Sequence, residues 1–281
     1  MYIAVFGDLH GKIKLAYKLC HRWQREHNIK LDLILQVGDL GVWPDPSKLD
    51  KATARFAAKE PMELGFQEFL EGSQELDDLF YDKDNGVTAD LYFCNGNHED
   101  FDFLRENKSR QPASSVDAYQ KLNYISNGRS FIYSKDKERV SIAALGGLDK
   151  EITKDPERKP KDVYFTDKEL QELRLQKNVD ILLTHQGYDL HGIVSERLTR
   201  AVKDIHPVYH FFGHKHVESE LGNDDLTVMV ELNLLEFKRK SGRLTRKGFG
   251  ILYWEDKENH LFSFVEDPWL EEYTKFTWED I

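Results

Sequence analysis

YIAVFGDLHG, residues 2–11, is the stretch on which the reading of this chain turns. A short apolar run rich in aromatic and branched residues feeds straight into Gly-Asp-Leu-His-Gly, the pattern of a buried strand whose carboxyl end opens into a site. Asp8 and His10 lie two residues apart and would project to the same side of an extended segment. Gly7 and Gly11 let the backbone turn sharply beside them. Leu15, Leu19 and Trp23 follow at helical spacing, and LDLILQV, residues 31–37, predicts a second strand that closes a βαβ unit.

The arrangement recurs four times. LDLILQV runs into GDLG (residues 38–41), LYFC into GNHED (96–100), DILLT into THQG (184–187) and VYHFF into GHKH (213–216). Open α/β sheets place their sites at the carboxyl ends of strands. Asp39, Asn97, His185, His214 and His216 therefore join Asp8 and His10 as metal-ligand candidates. His214 and His216 repeat the two-residue spacing of the first pair, and Asp39 is the candidate bridge between two grips. Mixed carboxylate, imidazole and amide donors suit manganese, iron, zinc or cobalt better than calcium or magnesium alone, with manganese favoured.

Two such ions about 3.5–4 Å apart can share a hydroxide and clamp a phosphoryl group, so phosphoester hydrolysis is the chemistry expected. The leaving alkoxide needs a proton. His98 follows Asn97 directly and is the catalytic candidate for that role, with Glu99 or Asp100 to orient it.

Each block alone has a plainer reading: GDLHG as a turn with a capping aspartate, GNHED as another turn, GHKH as a surface histidine pair. Five in order at five strand ends remove those readings together. His21, His27, His206, His210 and His260 are expected to be surface or packing residues. His191, close behind THQG, and Lys150, with Arg158 and Lys159 in a charged loop, are candidate substrate contacts.

In order, GDLHG, GDLG, GNHE, TH and GHKH are similar to the five motifs of the calcineurin-like metallophosphoesterases, across residues 3–217. The resemblance implies an α/β fold, a four-layer α/β/β/α sandwich of two mixed β-sheets flanked by helices. It also implies one ion held by Asp8, His10, Asp39 and His216 and a second by Asp39, Asn97, His185 and His214. Protein Ser/Thr phosphatases of this superfamily carry Asp-Arg-Gly soon after the second motif. LGVWPDP stands there instead, which disfavours a phosphoprotein substrate. The layout resembles small phosphodiesterases and RNA lariat debranching enzymes, but the latter usually replace the first-motif aspartate with cysteine, and Asp8 is retained. The expected substrate is therefore a nucleotide or nucleic-acid phosphodiester, with a debranching-like RNA nuclease or a nonenzymatic scaffold as alternatives.

A net charge of -11 argues against broad, nonspecific nucleic-acid binding, which needs cations to neutralise phosphates. Cys20 and Cys94 cannot build a disulfide framework. No apolar run approaches the roughly 18 residues of a membrane span. A ligand as early as Asp8 leaves no room for a cleaved leader, so a cytoplasmic location with no membrane and no obligate protein partner is expected.

A single domain over residues 1–281 is expected, with a helical cap at about 44–86 and a C-terminal extension at about 225–281. The stripe of Phe66, Phe69, Leu70, Leu76, Leu79 and Phe80 is placed in that cap, near the site mouth. YISNGRSFIY and RVSIAALGGL read as strands of a second sheet, and TDKELQEL as a helix capped by Thr166. KRKSGRLTRK, residues 238–247, reads as a charged hairpin or a track for a nucleic-acid backbone. Trp269, Tyr273, Phe276 and Trp278 are expected to pack on the body.

Overall fold

A computed structural model describes residues 1–187, 195–216, 221–224 and 226–281. In chain order the elements are β1 (Tyr2–Phe6), α1 (Ile13–His27), β2 (Leu33–Gln36), α2 (Lys51–Ala57), α3 (Phe66–Glu71), α4 (Gln74–Tyr81), β3 (Asp90–Phe93) and α5 (Phe101–Glu106). Then come β4 (Ala113–Ser115), β5 (Leu122–Ile125), β6 (Ser130–Lys135), β7 (Glu138–Leu145), α6 (Asp167–Arg174), β8 (Ile181–Gln186) and α7 (Glu196–Ile205). The chain closes with β9 (Tyr209–Gly213), β10 (Leu221–Asp224), β11 (Thr227–Glu231), β12 (Phe249–Trp254) and β13 (His260–Phe264).

The strands form two mixed sheets flanked by helices, ordered β13-β12-β1-β2-β3-β5-β4 and β10-β11-β9-β8-β7-β6. The period-two alternation of each strand divides its side chains between two layers. In β1, Ala4 and Phe6 pack with Leu15, Leu19 and Trp23 of α1, whereas Ile3 and Val5 face inward. There they meet Ile142 and Ala144 of β7, Ile181 and Leu183 of β8 and Phe211 of β9. On the far side Ala143, Leu145 and Leu182 pack on α6 and α7 through Leu170, Leu173, Leu198 and Val202. The result is the expected four-layer α/β/β/α arrangement. Thr166 closes its capping box with Glu169 at the start of α6.

Two placements differ from expectation. β5, the first part of YISNGRSFIY, pairs with β3 and β4 in the first sheet, so Asn127-Gly128 carries the chain between sheets rather than closing a hairpin. The aromatic stripe of 66–80 does not stand over the site either. Phe66, Phe69, Leu76 and Phe80 are buried in the main core, with Tyr17 of α1 edge-on to Phe80 at 4.9 Å. Their apolar area is too large to leave over an open cleft. Of residues 44–86, α2 and the 3-10 turn Pro61–Leu64 are the parts that line the cavity beside the strand ends.

The 238–247 segment turns back on itself, with Phe237 opposite Leu244 and the Lys238 N–H donating to the Arg243 carbonyl. Trp269, Tyr273 and Trp278 are buried, while Phe276 is exposed. Both cysteines are buried and unpaired. Among the described residues no helix is long and apolar enough to cross a membrane.

Candidate metal centre

β1, β2, β3, β8 and β9 deliver their carboxyl ends to one place, and the loops that follow are tied together by backbone. The N–H groups of Leu9 and His10 both donate to the Asp39 carbonyl, at 3.0 and 2.8 Å, and Gly11 N–H donates to the Leu40 carbonyl at 2.8 Å. The first two blocks are thus one rigid unit. Gln36 secures it from below, its amide donating to the Gly7 and Gly38 carbonyls while its Oε1 accepts from Gly38 N–H.

Two groups of side chains emerge, Asp8 with His10 and His216, and Asp39 with His185 and His214; within each group the donor atoms lie within 4.8 Å of one another. Asp39 stands between the groups, its Oδ2 being 3.6 Å from His10 Nε2 and 3.4 Å from His185 Nε2. Its Oδ1 accepts the backbone N–H groups of Asn97 and His98 at 2.6 and 2.8 Å. Asn97 adds its Oδ1 at 3.2 Å from His185 Nε2. Asp8 Oδ2 is 2.7 Å from His216 Nε2. All seven sequence candidates therefore converge, with Asp39 central.

The route to convergence is not the extended geometry expected for the two His pairs. His10, His214 and His216 adopt φ of 43°, 77° and 53°, and Asp39 a φ of 52°. Left-handed turns at non-glycine residues are costly, about 1–3 kcal/mol each, and cluster where function needs them. Here they aim the rings that alternating strand geometry would send elsewhere. Close approach also explains one glycine: a Cβ on Gly96 would sit 1.9 Å from Asp39 Oδ1.

Two of the ligand imidazoles are held in the neutral form that binds a divalent cation, whereas that of His216 is raised because its hydrogen bond to Asp8 outweighs burial. Burial holds the His214 and His10 imidazoles down to about 3 and about 4, so both are neutral at pH 7 and free to donate a lone pair. Burial would raise the Asp39 carboxyl, but the imidazoles of His185 and His10 outweigh it and keep Asp39 low. Asp8 is lowered similarly, burial being overcome by His185 and His216. Two carboxylates, four imidazoles and an amide oxygen are a donor set fit for two borderline divalent ions. His185 Nδ1 lies 3.2 Å from the Val37 carbonyl, which fixes its ring while Nε2 faces the group.

His98 is 5.6 Å from His10, ring centre to ring centre. Its Nδ1 is 2.7 Å from Asp50 Oδ2. Neither Glu99 nor Asp100 orients it. Glu99 is buried and accepts from Leu40 and Val42 N–H at 2.9 and 2.6 Å, bracing the Asp39 loop. Asp100 caps α5 through Phe103 N–H. Burial would depress His98, yet the Asp50 hydrogen bond and nearby carboxylates raise it to about 9.

Asp50 is the residue that sequence reading missed. It is also the N-cap of α2, accepting from Ala52 and Thr53 N–H, and an N-cap pattern before KATARFA was its only local signal.

Lys150 is not brought to this place. It pairs with Glu157 and lines a separate cleft with Lys159, Lys161 and Arg197. His191 lies outside the described residues. His210 is buried, its Nε2 2.7 Å from Thr184 Oγ1.

A family model for calcineurin-like phosphoesterases matches residues 1–218. No curated protein matches the chain. Among solved structures it is similar to TT1561 of Thermus thermophilus, with TM-score 0.52 and 13% identity over 94% of this chain and 98% of that one. A dimetal phosphatase from Danio rerio gives TM-score 0.52 and 12% identity over 93% and 98%. GAP50, the anchor in the inner membrane complex of Plasmodium, gives 0.53 and 13% over 94% and 84%. These likenesses concern the fold. What the site does depends on its residues, not on the fold alone.

Proposed function

Since the chain belongs to the calcineurin-like phosphoesterase family, we propose that it is a metal-dependent phosphodiesterase acting on a nucleotide or nucleic-acid phosphodiester in the cytoplasm. One divalent ion is assigned to Asp8, His10, Asp39 and His216 and the other to Asp39, Asn97, His185 and His214, with manganese favoured. When bound, the ions supply Lewis acidity toward the phosphoryl oxygens and activate water. Asp39 keeps the two groups in register through its contacts with both. Asn97 and His185 hold the far side.

His98 acts as general acid. With Asp50 on Nδ1, Nε2 is left to donate to the departing alkoxide, and the raised affinity for a proton keeps the ring charged at neutral pH. A diester is favoured over a monoester because the cavity beside the site has walls beyond the ligands, formed by α2 and residues 234–239.

The observation that carries this reading is Asp39 standing between two groups of donors, each completed by residues from distant strands. A nonenzymatic role is the alternative, and the complete donor set weighs against it. Hydrolysis of bis-p-nitrophenyl phosphate with manganese tests the proposal. Activity should appear in the wild type and vanish with chelator or in Asp39→Asn; activity that survives both sinks it.

A further inference from the structure

A cavity of about 350 Å³ opens beside His10, His98 and His216 and continues between two walls. On one side is the α2 face carrying Ala52, Thr53 and Phe56; on the other are Leu234, Glu236 and Arg239. That volume is at the small end of ligand sites, enough for a mononucleotide-sized group.

The composition of the walls is uneven in an informative way. Phe56 keeps 36% of its surface exposed although it lines a cavity, and the Arg55 guanidinium sits over its ring at 5.0 Å. A ring presented there offers a stacking platform that accepts any planar base. Of the six cations in residues 238–247, Arg239 alone lines this cavity. Lys238, Arg243, Arg246 and Lys247 line a different cleft, and Arg243 pairs with Glu271. Arg239 makes no ion pair among the described residues, whereas the Glu63 carboxylate at the cavity floor is paired with Lys12 at 3.3 Å. An arginine fork is matched to phosphate geometry. Glu236, on the same wall, supplies an acceptor for a sugar hydroxyl, as acidic residues do for ribose.

We propose that this cleft is a nucleotide subsite for the group esterified to the scissile phosphate, in which Phe56 stacks on the base and Arg239 engages a second phosphate. The proposal rests on the phosphoesterase reading above. It narrows the substrate to phosphodiesters whose nucleoside carries a phosphate beyond the one that is cleaved.

Binding of adenosine 3',5'-bisphosphate and of adenosine 5'-monophosphate to the manganese-loaded full chain, measured by calorimetry, tests it apart from turnover. The bisphosphate should bind about tenfold more tightly. Arg239→Ala should erase that difference and leave the monophosphate unchanged. Phe56→Ala should weaken both by about tenfold, with Phe56→Tyr restoring them. Circular dichroism and manganese content of each variant should match the wild type, which separates lost nucleotide binding from lost folding. Equal binding of the two nucleotides by the wild type, or a preference that survives Arg239→Ala, overturns the subsite. If metal-dependent hydrolysis of bis-p-nitrophenyl phosphate is absent while the Arg239-dependent preference is present, the phosphoesterase reading fails and the subsite stands.

Discussion

Asp50→Asn removes the charge that positions His98 while keeping the backbone cap of α2; the Thr53 hydroxyl, which donates to the same Oδ2 at 2.9 Å, is the other contact it alters. Asp50 Oδ1 accepts from Ala52 and Thr53 N–H at 2.7 and 2.9 Å, and asparagine is as good an N-cap as aspartate. The helix start should therefore survive, with a stability change within about 0.5 kcal/mol. Oδ2 is the atom facing His98 Nδ1 at 2.7 Å. The two side chains retain 28% and 33% exposure, so this pair is worth about 1–2 kcal/mol rather than the larger penalty of breaking a fully buried one. If that energy is felt when His98 donates its proton, the loss is about 5–30-fold.

The loss should depend on the leaving group. An alkyl phosphodiester, whose alkoxide needs the proton, should show all of it, and a p-nitrophenyl ester should change less than about twofold. The pH profile carries a sign of its own. Burial alone would lower His98, and Asp50 is the first of the groups that raise it to about 9. The charged donor is present below that value and lost as pH rises through it, so removing the anion moves the alkaline limb to lower pH. Equal losses on both esters, or an unmoved alkaline limb, would refute the assignment of Asp50 as the positioning residue.

Other outcomes follow from the same contacts. His98→Ala should cut turnover of the alkyl ester by about 10²–10⁴ while sparing the p-nitrophenyl ester, which steady-state kinetics on the pair measures. Glu99→Ala strips the acceptor from Leu40 and Val42 N–H and should destabilise the fold by about 2–6 kcal/mol, read from the urea midpoint. Gly96→Ala drives a methyl into Asp39 Oδ1 and should lower activity by about 100-fold while circular dichroism remains native.

The five blocks were legible because each places hydrophilic donors directly after an apolar strand, and the strands' carboxyl ends meet in both sheets. The layers were expected from the resemblance of the motifs alone; the apolar runs of β1 and β7 marked buried strands, and their division between two cores is seen only in the structure. Asp50 was not, because it reaches His98 from a helix start 48 residues away and nothing in its neighbours marks the contact. The stripe at 66–80 misled about position for a related reason: periodicity reveals that a helix has a buried face but not which layer buries it. His10, His214 and His216 were found as residues and misjudged as backbone, since left-handed turns at histidine leave no mark in sequence.

Metal content tests the central claim most directly. Purified protein loaded with manganese, dialysed against metal-free buffer and measured by inductively coupled plasma mass spectrometry should hold about two ions per chain. Asp39→Asn, which alters the side chain between both groups, should reduce that content sharply. A stoichiometry near zero in the wild type under metal-replete conditions would contradict the account.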